Sequence, residues 1–191
     1  MRLFVALDID PDIRERITAF RNQMRPLAPH VRWVGPETFH VTLQFLGETK
    51  RLDDIRDALK TVHCAPAQIS FRGAGFFPNP KAPRVFWVGI EGGERLQNLA
   101  TDIGRVTKPL GFDCDSGPLT PHLTLARAGS GRPRPVPGER PAPSLQRLLD
   151  ELAKLPSPDF GTMTAHEFCL YESHLSPEGA RYEKRARFPL R

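Results

Sequence analysis

Two histidines of this chain stand in the same short phrase, His40-Val41-Thr42-Leu43 and His122-Leu123-Thr124-Leu125. A chain of this composition would produce one His-x-Thr-Leu only about 0.04 times by chance, so a pair of them is a signal. Along a β-strand alternate side chains share a face, which sets His40 with Thr42 and His122 with Thr124 and turns Val41, Leu43, Leu123 and Leu125 toward the core. Two such strands side by side about a pseudo-two-fold axis bring two imidazoles and two hydroxyls to one cleft. Those groups suit a phosphate. An unperturbed imidazole titrates at about pH 6.5, so one ring is neutral while its partner is protonated. The neutral ring takes a proton from attacking water, the protonated ring gives one to a departing ribose oxygen, and the hydroxyls hold the non-bridging oxygens as charge builds.

The elements that must carry these strands are readable from periodicity. Arg2 to Asp8 reads as a buried strand. A helix follows, with Asp10 at its N-cap, Pro11 at its first position and an apolar stripe of Ile13, Ile17, Phe20, Met24 and Leu27. Val31 to Val34 is a short strand, Phe39 to Leu46 a strand with the first motif, and Leu52, Ile55, Leu59 and Val62 mark a second helix. Gln68 to Ala74 and Arg84 to Ile90 form a hairpin around the loop Gly75 to Pro83. Leu96, Leu99, Ile103, Val106 and Leu110 give a third helix, Thr120 to Arg127 the strand of the second motif, and Leu145 to Leu155 a last helix. Two or three strands within Phe160 to Leu190 finish the chain. Strands interleaved with helices in this way predict an α+β fold with antiparallel sheets. Each motif is followed at the same offset by a glycine, Gly47 or Gly129, and the two lie about half a chain length apart, as a duplicated lobe would place them. Gly129 to Pro143, rich in Arg, Pro and Gly, reads as an exposed loop, either without function or acting as a cationic flap over RNA.

With 191 residues the chain is long enough for one domain or two closely packed lobes. A formal net charge of +5 favours an anionic partner such as RNA or a nucleotide. Cys64, Cys114 and Cys169 are odd in number and far apart, which suggests reduced thiols in a cytoplasmic protein. The opening apolar run is too short for a signal peptide or a membrane span, so a soluble chain is expected. Neither motif has a third His, Asp or Glu at ligand spacing, and Glu37 and Glu48 near His40 have no counterpart near His122; no metal and no cofactor are expected.

Taken together, Arg2 to Leu7, Phe39 to Glu48, Pro121 to Arg127 and the tail from Leu170 through Tyr182 to Leu190 resemble the 2H phosphoesterase superfamily. Within it the chain is similar to the LigT-like (ThpR) RNA 2',3'-cyclic phosphodiesterases, formerly called 2'-5' RNA ligases. The resemblance implies a bilobal α+β fold: two pseudo-two-fold-related antiparallel sheets with outer helices, and a central catalytic cleft to which each lobe gives one His-x-Thr strand. It implies opening of a ribose 2',3'-cyclic phosphate to a 2'-phosphomonoester without a metal, on RNA ends or nucleotides. His40 takes the proton-donor role and His122 the acceptor role, with Thr42 and Thr124 on the substrate. Phe45 corresponds to a ring that stacks on the nucleobase and Arg127 to a phosphate-binding arginine. Strict alternation counts against both, because an offset of five places each on the face opposite its histidine, unless a bulge or strand end before Gly47 and Gly129 resets the parity. Core packing for Phe45 and a solvated surface charge for Arg127 therefore stay open.

The same site would serve 2'-5' ligation, a 2'-5' phosphodiesterase or a small cyclic-nucleotide phosphodiesterase, all of which pass through pentavalent phosphorus. An RNA-binding module without turnover would be served as well by Lys or Arg, so the paired histidines argue against it. His30, His63, His166 and His174 read as structural, and Trp33, Phe76, Phe77, Trp87, Tyr171 and Tyr182 as packing residues. A cleft made within one chain needs no second copy, so a monomer is expected.

Overall fold

The computed structural model describes residues 1–80, 83–113, 120–128, 145–176 and 179–191. The Arg/Pro/Gly-rich stretch 129–143 and Cys114 lie outside the described residues.

The first strand, β1 (Arg2–Leu7), is buried on both faces, which is why it reads as a continuous apolar run. Leu3, Val5 and Leu7 enter the main core, whereas Phe4 and Ala6 join Cys169 and Tyr171 in a small cluster on the other side. Helix α1 (Pro11–Met24) follows with Pro11 at its start and Ile13, Ile17 and Met24 inward. The side chain of Asp10 makes no capping hydrogen bond; its carbonyl accepts from the Arg14 N–H at 2.9 Å instead. The helix stops at Met24, so Leu27 belongs to the 3-10 turn that follows.

Two antiparallel sheets carry the remaining strands: β2 (Arg32–Trp33), β3 (Val41–Glu48), β4 (Ala67–Phe77), β5 (Val85–Glu91), β6 (His122–Arg127), β7 (Asp159–Ala165), β8 (Glu167–Ser176) and β9 (Gly179–Pro189). One sheet has the order β3-β1-β8-β9, the other β2-β6-β5-β4-β7. The expected hairpin is β4–β5, but its strands run on to Phe77, so Gly75 to Phe77 are strand rather than loop. Each sheet draws strands from both ends of the chain. A repeat spaced by half a chain length therefore does not give one sheet to each half of the sequence.

Helix α3 (Gly93–Thr107) lies against β3 of one sheet and β4 of the other, with Leu96, Leu99 and Ile103 fully buried. Its last residue holds β3 in place: the Thr107 hydroxyl donates to Oε1 of the buried Gln44 at 3.0 Å. Helix α2 (Leu52–Leu59) packs on α3, α1 packs on β7, and α4 (Gln146–Leu152) buries Leu148. One hydrophobic core runs through both sheets. No described helix is long and apolar enough to cross a membrane.

Leu125 of the second motif is fully buried in that core. Leu125→Ala is expected to cost about 2–5 kcal/mol, from lost transfer free energy and the cavity left behind. Thermal unfolding should show a fall in Tm of roughly 5–15 °C; an unchanged Tm would contradict the assigned packing.

Candidate active site

The two motifs lie on strands that touch, β3 at the edge of its sheet and β6 beside the two-residue β2. His40 immediately precedes β3 and His122 opens β6. Pairing of β1 with β3 runs Ala6↔Thr42 and then Val5↔Gln44, so Leu43 is an extra residue on β3. Pairing of β5 with β6 runs Trp87↔Thr124 and then Phe86↔Ala126, so Leu125 is an extra residue on β6. The leucine of each His-x-Thr-Leu is thus a β-bulge at the same point of the phrase.

The bulge overturns the parity expected of a regular strand. Past it, Phe45 pairs with Phe4, two residues along β1 from Ala6, and so returns to the face of Thr42. Arg127 pairs with Val85, two residues from Trp87, and returns to the face of Thr124. Burial agrees, since Leu43 and Gln44 are both buried between half-exposed Thr42 and exposed Phe45, and Leu125 and Ala126 are both buried between Thr124 and Arg127. A second irregularity in β3 falls at Leu46, just before Gly47 but already beyond Phe45.

All six residues singled out from the sequence, His40, Thr42, Phe45, His122, Thr124 and Arg127, line one cleft of about 450 Å³. Each imidazole is anchored in the same way. His40 Nδ1 donates to the Thr38 carbonyl at 2.6 Å and His122 Nδ1 to the Thr120 carbonyl at 2.9 Å. A carbonyl oxygen only accepts, so Nδ1 carries the proton and Nε2 is left for the cleft. Arg127 Nη2 lies 3.4 Å from Thr124 Oγ1, at the limit of a hydrogen bond.

The walls differ between the two halves. His40 sits against Phe4, with ring centroids 4.9 Å apart, and meets Tyr182 edge-on at 5.1 Å. Tyr171 stacks on the far side of this cluster against Phe4, and its hydroxyl donates to Asp8, as does the Lys184 ammonium. His122 meets Phe77 edge-on at 4.9 Å, and Phe77 leans on Trp87. Burial lowers the pKa of both histidines. At His40 the Thr38 hydrogen bond and the charge of Asp8 oppose that effect, while Arg127 and His122 add to it; at His122 the Thr120 hydrogen bond opposes it and Arg127 adds to it.

Periodicity misses several wall residues. Tyr182 and Phe4 line the cleft with Arg2, Ser173 and Leu175, and Phe77 supports His122, although Tyr182 and Phe77 read from the sequence as packing residues. Phe76 is core, as expected. His174 bonds Glu183 at 3.3 Å, away from the cleft. Among the described residues two groups of side chains have the spacing of metal ligands, Asp8–Glu167–Cys169 and Glu172–His174–Glu183, and neither contains a motif histidine.

Comparison with known proteins agrees with this geometry. The family described as LigT like Phosphoesterase matches the chain twice, over residues 7–87 and 88–182, once around each motif. A protein of Archaeoglobus fulgidus named RNA 2',3'-cyclic phosphodiesterase is 36% identical over 96% of this chain and 97% of its own. One of the same name from Methanothermobacter thermautotrophicus is 32% identical over 95% of each. Among solved structures, a Thermus thermophilus protein superposes with a TM-score of 0.78 at 27% identity, covering 100% of this chain and 98% of its own. Escherichia coli LigT complexed with 3'-AMP gives 0.76 at 25% identity, covering 99% and 97%. With both halves matched and near-complete relatives above 30% identity, the chain belongs to the LigT-like phosphoesterases of the 2H superfamily.

Proposed function

We propose that this protein hydrolyses 2',3'-cyclic phosphates at RNA ends, and on nucleotides, to 2'-phosphomonoesters, with His122 as base and His40 as acid. The observation that carries the reading is the paired anchoring: two imidazoles, each fixed through Nδ1 to the carbonyl two residues upstream, line one cleft with two threonine hydroxyls. Relatives spanning nearly the whole chain are named RNA 2',3'-cyclic phosphodiesterase, and solved Escherichia coli LigT complexes hold 3'-AMP, ATP and NADP+.

In this mechanism the cyclic phosphate lies between the imidazoles, its non-bridging oxygens on Thr42, Thr124 and Arg127. His122 Nε2 takes a proton from water as the water oxygen attacks phosphorus. The bond from phosphorus to O3' breaks on the opposite side, and His40 Nε2–H protonates the departing O3'. The 2'-phosphate remains, and the two rings return to their starting states by exchange with solvent. The Asp8 carboxylate supports the proton on His40, against a larger lowering of that ring's pKa by burial. Phe45, whose ring is 63% exposed at the rim, offers a face for the nucleobase. The chemistry is complete in two proton transfers and calls on no metal.

Hydrolysis of a 2',3'-cyclic nucleotide is expected to persist in excess EDTA and to yield the 2'-phosphate; loss of activity there, or a 3'-phosphate product, would contradict the reading. His40→Ala and His122→Ala should each lower kcat by at least about a hundredfold.

The pH profile follows from the two lowered values. Above both, the singly protonated cleft becomes scarcer as pH rises, so kcat/KM should peak below about pH 6.5 and fall by up to about tenfold per unit above it. Asp8→Asn removes the charge that supports the proton on His40 and should move the high-pH limb further to acid. Rates measured from pH 5 to 9 decide this, and a flat profile through pH 8 would exclude the proposed protonation states. Phe45→Ala is expected to raise KM by roughly five- to a hundredfold, the range of base stacking on an aromatic ring, with a smaller change in kcat.

A further inference from the structure

Three arginines approach the mouth of the cleft from three strands. Arg2 opens β1 and lines the cleft, Arg32 lies on β2, and Arg127 ends β6. Arg32 and Arg127 are direct partners across the β2–β6 pair, so they share a face. Like charges at directly opposed positions destabilise a sheet. Nearby carboxylates do not relieve them. Among the described residues six arginines form ion pairs with Asp or Glu, and Arg2, Arg32 and Arg127 are in none of these. Asp8, whose charge reaches His40, is taken by Lys184 and Tyr171.

The Tyr182 hydroxyl, held up in pKa by burial, feels the opposing pull of Arg127, Arg32 and Arg2 together. Arg32 stands beside Arg127 on one face and Arg2 lines the same cleft, so three guanidiniums without carboxylate partners offer more positive charge than one cyclic phosphate offsets. In the proposed mechanism Arg127 already serves that phosphate, which leaves Arg2 and Arg32 beyond it. Leu175, 63% exposed and lining the same cleft, lies on the strand that pairs with β1, where Arg2 faces Ser173. It gives apolar surface next to the charge.

We infer that Arg2 and Arg32 form a second phosphate subsite, which takes the phosphate on the 5' side of the terminal nucleotide and so directs the cleft toward polynucleotide 3' ends. This rests on the cyclic phosphodiesterase reading above. The phosphate supplies the counter-charge that the opposed arginines lack, and Leu175 meets the penultimate nucleoside.

The test compares adenosine 2',3'-cyclic phosphate with its 5'-phosphorylated form and with the dinucleotide ApA ending in a 2',3'-cyclic phosphate. Wild-type enzyme should prefer the 5'-phosphorylated form and the dinucleotide by about tenfold or more in kcat/KM, the low end for a charge-assisted contact at an exposed site. In Arg2→Ala and Arg32→Ala that preference should shrink severalfold, and in the double variant approach unity, whatever happens to the rate on the unphosphorylated substrate. The preference should also weaken with added salt, as phosphate contacts do. A wild type that turns over all three substrates equally overturns the subsite while leaving the phosphodiesterase reading intact. A preference that survives in the double variant, or variants that slow all substrates alike, overturns it too, by placing the phosphate elsewhere or reducing the arginines to a general field. Failure on every substrate sinks the underlying reading instead.

Discussion

The site depends on one irregularity repeated twice, the extra residue at Leu43 and at Leu125. A regular strand presents every second side chain to one face, so it offers a cleft residues at even offsets only. His-x-Thr meets that rule. Phe45 and Arg127 break it, and the bulge places them in the cleft by shifting the parity once between threonine and the next cleft residue. The cost is a pair of adjacent residues that must both be buried, which Leu43 with Gln44 and Leu125 with Ala126 are. The Thr107 hydroxyl at the end of α3 meets the buried Gln44 at Oε1, while Gln44 Nε2 has no partner among the described residues. Helix α3 is thereby tied to the strand that carries the first motif, and because it also lies on β4 it couples that strand to the second sheet.

Burial and charge act in opposition at the two imidazoles. The Nδ1–carbonyl bonds fix their orientation, and their burial strengthens any interaction with an anion while disfavouring the protonated form of each ring. An anion in the cleft would oppose that penalty. Arg127 works against protonation of both rings in the free cleft.

Much of this is legible in the residues. The shared faces of His40 with Thr42 and His122 with Thr124 follow from strand period alone, and the three helical stripes through Ile17, Ile55 and Leu99 lie where their spacing places them. The bulges are not legible, because an inserted leucine looks like any other core leucine until its cross-strand partners are known. Nor is the sheet order, since pairing β1 and β3 with β8 and β9 joins segments more than a hundred residues apart and no local pattern specifies that. Tyr182 and Phe4 escape for a related reason. Phe4 stands in a run buried on both faces, so nothing in its neighbours separates the core side from the cleft side. Tyr182 becomes a wall of the site only because β9 pairs with β8 and brings it over His40.

Near symmetry of the two motifs makes the surroundings decide the roles. Phrase, bulge and backbone anchor are the same at both histidines, so none of them distinguishes an acid from a base. What differs is behind the rings. His40 has a layer of Phe4, Tyr171 and Tyr182 with the Asp8 carboxylate beyond it, pinned by Lys184 and Tyr171. His122 has the rings of Phe77 and Trp87 and, across the β5–β6 pair, Gly89, whose missing side chain leaves room for the Arg72 carbonyl that a Cβ would meet at 2.4 Å. A carboxylate lies behind one ring and an uncharged wall behind the other, while burial is the larger influence on both. What distinguishes the two copies of the motif thus lies outside it, on β1, β8 and β9 for one half and on β4 and β5 for the other.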